Sequence, residues 1–245
     1  MPEVLLSKQD GVAVIVVHNP EVKNGLTPEM GRQLAALCDD IDTDESIGAA
    51  VVQGAEGSFC SGADRRRWNP SGDQAEDTAF KESGAVYSAF KRVGELKVPS
   101  VAAVRGAAVG AGMNLMLATD LRIVADNARI LAGFLRINLH PGGGFFTLAG
   151  RTAGREATAA LGLFSAEIAG PRAKEIGLAW DSVPDDQVEQ QAFDLARAAA
   201  QDPELAREAV RSFRTELGPP AIGWDAALHF ERGTQMWSQR RRANL

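Results

Sequence analysis

The stretch VPSVAAVRGAAVGAGMNLMLA, at residues 98–118, constrains the possible fold more than any other part of the chain. Residues 101–104 are apolar with a β-branched residue at each end, which indicates a buried strand. Three glycines follow before an apolar helix: Gly106, Gly110 and Gly112. Glycine lets a ligand approach the backbone, and the first turn of a helix offers N–H groups without intrahelical partners. The stretch predicts an oxyanion or phosphate site, although a tight turn filled by glycine explains it equally well.

Strand and helix patterns alternate along the rest of the chain. Apolar runs predict strands at residues 12–18, 49–53, 120–124 and 179–183, with residues 4–6 as the other arm of a hairpin. Helices are predicted after Thr27, at residues 78–96, after the turn at 141–144, at 155–163 and, from residue 185 on, as a run of three whose last member begins at Ala221. The helix at 78–96 is predicted to bury one face: Phe80, Val86, Phe90 and Val93.

This order predicts the α/β class, with an α/β core at residues 1–184 and a helical region at residues 185–245. We predict one domain, because no stretch is rich enough in Pro, Gly or Ser to act as a linker. A formal net charge of −6 argues against a nucleic-acid partner. No run of about 18 apolar residues predicts a membrane span. Cys38 and Cys60 are too few for a metal cluster or a disulfide framework, and no leader opens the chain, so we expect a cytoplasmic protein without a metal site.

Two enzyme classes fail on the details of their motifs. Neither Ser58 nor Ser61 has a glycine two residues to each side, which the nucleophile elbow of serine hydrolases requires. The glycine stretch, together with Tyr87 and Lys91, imitates the short-chain dehydrogenases. In that family, however, the glycine turn follows the first strand and the Tyr-Lys helix comes later, whereas the order here is reversed.

Four segments resemble the crotonase superfamily, the enoyl-CoA hydratase and isomerase family: NPEVKNGLTPEM, GSFCSGAD, VPSVAAVRGAAVGAGMNLMLATDLRIVADNARI and HPGGG. The resemblance runs along nearly the whole chain. It implies a crotonase-like spiral of strand-strand-helix repeats with a helical C-terminal region, assembled as a homotrimer or a dimer of trimers. It also implies an acyl-CoA ligand, with CoA entering as part of the substrate and no separate cofactor.

The resemblance also assigns residues to the site. Matching the motifs places the backbone donors of an oxyanion hole, which hold the thioester oxygen, at Ala63 and Ala111. The positions matched to CoA binding are Val22, Lys23, Gly25, Asp64, Arg65, Arg66, Gly110 and Phe134. Lys23 and the basic triplet that ends at Arg67 could meet the phosphates, although each cation could equally be a solvated surface residue.

The acid/base positions of the family carry the wrong residues for ordinary hydration. Asn114 and Phe134 stand where hydratases have their two glutamates, and Gly142 stands where other members have an acid. His140, with Asn114, Asn138 and Arg136, is what remains near the pocket, and His140 could act as an acid or base or could support the helix start. Other candidate groups lie on the preceding helix: Glu82, Ser83 and Tyr87. We therefore expect an acyl-CoA enzyme that stabilises a thioester enolate without the two-glutamate hydratase chemistry, or a non-catalytic acyl-CoA binder or carrier.

Overall fold

The computed structural model of this chain describes residues 1–64, 75–216 and 224–243. Its strands are β1 (Glu3–Gln9), β2 (Val12–His18), β3 (Ala49–Gly54), β4 (Ser100–Val104), β5 (Ala107–Val109), β6 (Leu121–Ala125), β7 (Arg129–Leu131), β8 (Glu167–Ile168) and β9 (Asp181–Val183). Its α-helices are α1 (Pro28–Thr43), α2 (Ala75–Gly94), α3 (Ala111–Ala118), α4 (Phe145–Gly162), α5 (Gly170–Glu175), α6 (Val188–Ala199), α7 (Pro203–Glu216) and α8 (Trp224–Ala243).

The larger sheet has the strand order β1-β2-β3-β4-β6-β9. The hairpin of β1 and β2 is antiparallel, whereas the remaining neighbours pair in parallel, with Val51 of β3 opposite Val14 of β2 and Val101 of β4. The parallel strands are covered on both faces, which explains why β3 and β4 have continuous apolar sequences. Helix α6 packs across β3, β4 and β6 on one face. The strands predicted from apolar runs are therefore confirmed.

A smaller sheet, with the order β5-β7-β8, runs beside the large one and was not predicted from the sequence. Isolated bridges extend it, because Cys60 pairs with Ala108 of β5, and Leu26 pairs with Ala63. A strand of the large sheet is thus followed by a strand of the small sheet and then by a helix, as in the series β4, β5 and α3. This repeat confirms the predicted spiral.

The helices agree with the predicted capping signals, but one residue of α2 that was predicted to be buried is exposed. Thr27 accepts a 3.1 Å hydrogen bond from the Met30 backbone N–H at the start of α1. Helix α4 is broken at Gly154, where φ is +77°, so the two helices predicted there are two segments of one element. Phe80 of α2 is 41% exposed, which contradicts its predicted burial. At about 100° per residue, Phe80 lies about 110° around the helix from the buried stripe.

Two predicted features lie partly outside the described residues. The start of the last helix, predicted at Ala221, and the basic triplet at Arg65, Arg66 and Arg67 fall in the two gaps. Within the described ranges, no helix is both long enough and apolar enough to cross a membrane.

Candidate active site

A cavity of about 310 Å³ lies where the two glycine-rich segments meet α2 and α8. Its lining combines backbone from the two segments with side chains from the helices and from the loop that follows β7. The lining includes Leu26, Pro28, Ser61, Gly62, Ala63, Asp64, Glu82, Ser83, Val86, Tyr87, Gly110, Ala111, Asn114, Arg129, Phe134, Arg136, Gly142, Gln235 and Gln239.

The backbone of Ala63 presents its N–H group away from the neighbouring segment. Leu26 forms hydrogen bonds with the two chain neighbours of Ala63. Its N–H donates to the Gly62 carbonyl at 2.8 Å, and its carbonyl accepts from the Asp64 N–H at 2.8 Å. Successive residues of an extended segment point to opposite edges, so the N–H of Ala63 faces the other way. Among the described residues this N–H has no acceptor. It is a backbone donor available to a ligand in the cavity.

Ala111 is the first residue of α3, and its N–H group precedes the helical ladder. Gly110 turns the chain into the helix with φ +54°, and its own N–H donates to the Leu131 carbonyl at 3.0 Å. The Asn114 N–H donates to the Gly110 carbonyl at 3.1 Å and completes the first turn. Within the part of the chain that the structure describes, the Ala111 N–H has no acceptor, as expected for an orphan donor of a first helical turn.

Close backbone packing brings these two donors to one cavity. A Cβ atom on Gly62 would lie 3.0 Å from the Val109 carbonyl oxygen and 3.8 Å from the Ala111 nitrogen. A Cβ atom on Gly112 would collide with the carbonyl oxygen of Cys60. Only glycine allows this approach, which lets both loops contribute backbone to the lining of one cavity.

The turn at residues 19–25 is held against the loop after β3 by Asn24, which is fully buried. Its amide donates to the carbonyls of Ala55 at 2.7 Å and Ser58 at 2.6 Å, and its oxygen accepts from the Asn19 N–H at 2.9 Å. Ser61 joins the turn to the same loop through a 2.5 Å hydrogen bond to the Val22 carbonyl.

Of the residues predicted to bind CoA, the structure brings Asp64, Gly110 and Phe134 into the lining. Lys23 is exposed, Val22 is half-buried and Gly25 is buried. These three belong to the adjoining turn, and the nearest lining residues there are Leu26 and Pro28. Arg65 and Arg66 lie outside the described residues.

The two positions matched to the hydratase glutamates both face the cavity. Asn114 is 1% exposed, and its amide donates a 2.7 Å hydrogen bond to the Gly142 carbonyl. Its Oδ1 atom is buried without a partner among the described residues. Phe134 is nearly buried, with its ring centroid 5.9 Å from that of Phe145. Neither side chain can exchange a proton with a substrate at neutral pH.

His140 lies beside the cavity, and the lining does not include it. Its Nδ1 atom is 2.7 Å from the Pro141 carbonyl oxygen, and its ring meets that of Phe146 edge-on at 6.3 Å. Asn138 is exposed, whereas Arg136 is in the lining. The geometry favours the structural alternative for His140, and its catalytic role stays a prediction.

Helix α2 brings a stripe of four residues to the cavity: Glu82, Ser83, Val86 and Tyr87. Their spacing is that of one helical face, so the sequence contained this signal. Gln235 and Gln239 of α8 also line the cavity, although no sequence motif indicated them. A glutamine in a polar helix has no pattern that would single it out.

Two further groups set the electrostatics around the cavity. Arg129 donates to both oxygens of Glu167 at 2.8 and 2.9 Å, and Arg136 donates to the same carboxylate at 3.0 Å. These hydrogen bonds, that of Arg129 first, lower the pKa of Glu167. Burial raises the pKa of the Cys60 thiol, within the first glycine-rich segment, to about 12. No group of three or more metal-ligating side chains occurs within the described ranges.

Comparison with known proteins identifies relatives along almost the entire chain. The model of the family described as enoyl-CoA hydratase/isomerase matches residues 7–227. The Mycobacterium tuberculosis protein named Probable enoyl-CoA hydratase EchA14 is 37% identical over 221 residues, which cover 89% of this chain and 84% of the relative. The 1,2-epoxyphenylacetyl-CoA isomerase of Escherichia coli K12 is 31% identical over 242 residues, or 96% of this chain and 90% of the relative. In fold, the chain resembles the crystal structure of an enoyl-CoA hydratase from Mycobacterium avium subsp. paratuberculosis K-10, with a TM-score of 0.83, 22% identity and coverage of 99% and 98%.

Proposed function

The chain belongs to the enoyl-CoA hydratase/isomerase family, and on that basis we propose that it is an enzyme that stabilises the enolate of an acyl-CoA thioester without the two-glutamate chemistry of a hydratase. The observation that carries this proposal is the pair of unpartnered N–H groups of Ala63 and Ala111 at one cavity. A thioester carbonyl oxygen between two such donors is stabilised most when it becomes negatively charged. One donor of this kind contributes about 10²- to 10³-fold to a rate.

The departure from hydration rests on two side chains that line the same cavity as the donors. Adding water across a double bond requires one group to take a proton from water and a group to give a proton to carbon. Asn114 and Phe134 can do neither, and the amide of Asn114 already bonds to the Gly142 carbonyl. Enolate formation needs only one proton-transfer group in addition to the two N–H donors, so it is the chemistry that this cavity supports best.

For CoA we propose the turn that contains Val22, Lys23 and Gly25, together with Asp64 at the cavity wall. The contact between Ser61 and the Val22 carbonyl supports this assignment, because it holds the turn against the segment that carries Ala63. Lys23 is exposed within this turn and is available to a phosphate. The acyl end of the ligand would then extend towards Gly110 and Phe134.

Two assays test the proposal. Crotonyl-CoA hydration should be slower by several orders of magnitude than a typical enzymatic rate of about 10 per second. Calorimetry with a panel of acyl-CoAs, including phenylacetyl-CoA, should give saturable binding, and mass spectrometry of the recovered ligands should detect at least one conversion. Efficient hydration contradicts the departure argument. Tight binding with every ligand returned unchanged supports the alternative, a non-catalytic acyl-CoA binder or carrier. The absence of glutamate at both matched positions favours this alternative.

We also propose that the protein assembles as a homotrimer or a dimer of trimers. Adjacent exposed apolar side chains after α4 support self-association, with Phe164 81% exposed and Leu163 56% exposed. Light scattering should give a mass of three or six chains, and Phe164→Lys should lower it. A monomeric wild-type protein contradicts this assembly.

A further inference from the structure

Tyr87 has the one phenol of this sequence, and the chemistry above does not use it. The side chain is 8% exposed and lines the cavity from α2. Its ring lies 6.3 Å, centroid to centroid, from that of Phe90, which is buried in the core. A tyrosine held in this way presents a fixed hydroxyl to the cavity rather than a mobile one.

The hydroxyl of Tyr87 occupies the space where an acidic side chain at residue 142 would begin. A Cβ atom on Gly142 would collide both with the Tyr87 Oη atom and with the Gln235 Nε2 atom. The carbonyl of Gly142 is bonded to Asn114, which lies one turn along α3 from the donor at Ala111. The phenol therefore belongs to the same wall of the cavity as one of the two N–H groups that would hold a thioester oxygen.

A guanidinium group on α8 interacts electrostatically with this phenol. Arg232 of α8 lies with its central carbon 3.2 Å from the centroid of the Phe80 ring. Its Nε atom is buried without a partner, and it forms no ion pair with a carboxylate among the residues that the structure describes. Burial lowers the pKa of Arg232, while its interaction with the charge of Tyr87 raises it.

Resting on the acyl-CoA function proposed above, we propose that Tyr87 is the catalytic acid/base residue that moves a proton to and from C2 of the acyl group. The phenolate oxygen accepts the C2 proton, and the electron pair of that C–H bond forms the C1–C2 double bond. The carbonyl electron pair moves to the thioester oxygen, whose charge is held by the N–H groups of Ala63 and Ala111. In the reverse step the phenol returns a proton to C2, so no other reactant is consumed.

Exchange of the C2 hydrogens of phenylacetyl-CoA in D₂O tests this step directly, because the phenyl group makes that C–H bond more acidic. The wild-type protein should incorporate deuterium, measured by mass spectrometry. Tyr87→Phe should slow the incorporation by at least about 100-fold, since the group acts only in proton transfer, while calorimetry gives an unchanged affinity. Ser88→Ala is the matched control, because it removes an exposed hydroxyl from the next residue of α2. Arg232→Met should slow exchange, and Arg232→Lys should restore part of it.

The rival groups are Glu82 and Asp64, which also line the cavity. Exchange that survives in Tyr87→Phe and is lost in Glu82→Gln or Asp64→Asn overturns the role of Tyr87. So does a wild-type protein that binds phenylacetyl-CoA and never exchanges it. If the wild-type protein binds neither CoA nor phenylacetyl-CoA, the acyl-CoA function itself is wrong, and the role of Tyr87 is rejected with it.

Discussion

The side-chain amide of Asn114 donates a 2.7 Å hydrogen bond to the backbone carbonyl oxygen of Gly142. This bond joins α3, which begins at the donor Ala111, to the turn before α4. An ionised carboxylate at residue 114 could not donate to that carbonyl. The amide and the conformation of the turn therefore depend on each other. Asn114 thus has a structural role in addition to replacing the glutamate that a hydratase has at this position.

Asn114→Asp should make stability depend on pH. Facing a carbonyl oxygen in a buried site, the new carboxyl would have a folded-state pKa well above about 3.9, its value in an unfolded chain. The protonated carboxyl therefore stabilises the folded state fully below that unfolded pKa, and this stabilisation is lost as pH rises through the folded pKa. Relative to wild type, the free energy of unfolding should fall by about 2–4 kcal/mol at pH 8 and by less at pH 5.

Urea denaturation at the two pH values measures this difference. Asn127→Asp, at an exposed turn residue, is the matched control and should change stability little at either pH. An equal loss for Asn114→Asp at both pH values would mean that the hydrogen bond to Gly142 contributes nothing specific.

The fold was largely predictable because its larger sheet is parallel and buried on both faces. Strands such as β3 and β4 then become continuous apolar runs that a sequence displays directly. The smaller sheet was not predictable, because β8 has two residues and β7 has three. Elements that short have no periodicity, and their existence depends on partners distant in sequence, as in the pairing of Ile130 with Ile168.

The site residues also differ in whether a local sequence pattern or tertiary packing brings them to the cavity. The positions of Gly110 and Gly112 were evident because a positive φ or a close backbone approach requires glycine. Tyr87 was one of three candidate groups on its helix, and its spacing from Lys91 did not distinguish it from the other two. Gln235 was missed because the packing of α8, and no local pattern, brings it to the cavity.

Gly112→Ala should displace the start of α3. The added methyl group would collide with the Cys60 carbonyl oxygen, which belongs to backbone and has little freedom to move. We expect a loss of at least about 3 kcal/mol in the free energy of unfolding and weaker binding of any acyl-CoA. The matched control is Gly150→Ala in α4, where the new methyl group would meet only the Thr158 hydroxyl at 3.8 Å. That variant should gain up to about 1 kcal/mol from helix propensity. A stable, ligand-binding Gly112→Ala protein would contradict the packing described for this turn.

The two buried thiols should lower stability at alkaline pH. Burial raises the pKa of Cys38 and that of Cys60 to about 12. An unfolded thiol ionises near pH 9, so the unfolded state gains stability as pH rises above that value while the folded thiols stay protonated. Between pH 8 and pH 10.5, each thiol should cost about 2 kcal/mol of folding stability. Replacing both cysteines by alanine should reduce the alkaline loss relative to wild type, as measured by urea denaturation. If the free energy of unfolding falls equally with pH in the two proteins, the prediction is contradicted. Rapid reaction of the native thiols with a disulfide reagent at pH 8 would contradict it too.

Ala111→Pro offers a direct test of the oxyanion hole, because proline at the first position of a helix removes an N–H group that has no intrahelical partner. Helix α1 already begins in this way, at Pro28. Gly110, which precedes the substituted residue, has no Cβ atom to collide with the new ring. The free energy of unfolding should therefore change by no more than about 1 kcal/mol. The rate of C2 exchange, or of whichever conversion the acyl-CoA panel identifies, should fall by about 10²- to 10³-fold. Ala111→Ser keeps the N–H group and should lose much less activity. An Ala111→Pro protein that folds and retains the wild-type rate would show that this N–H group does not hold the thioester oxygen.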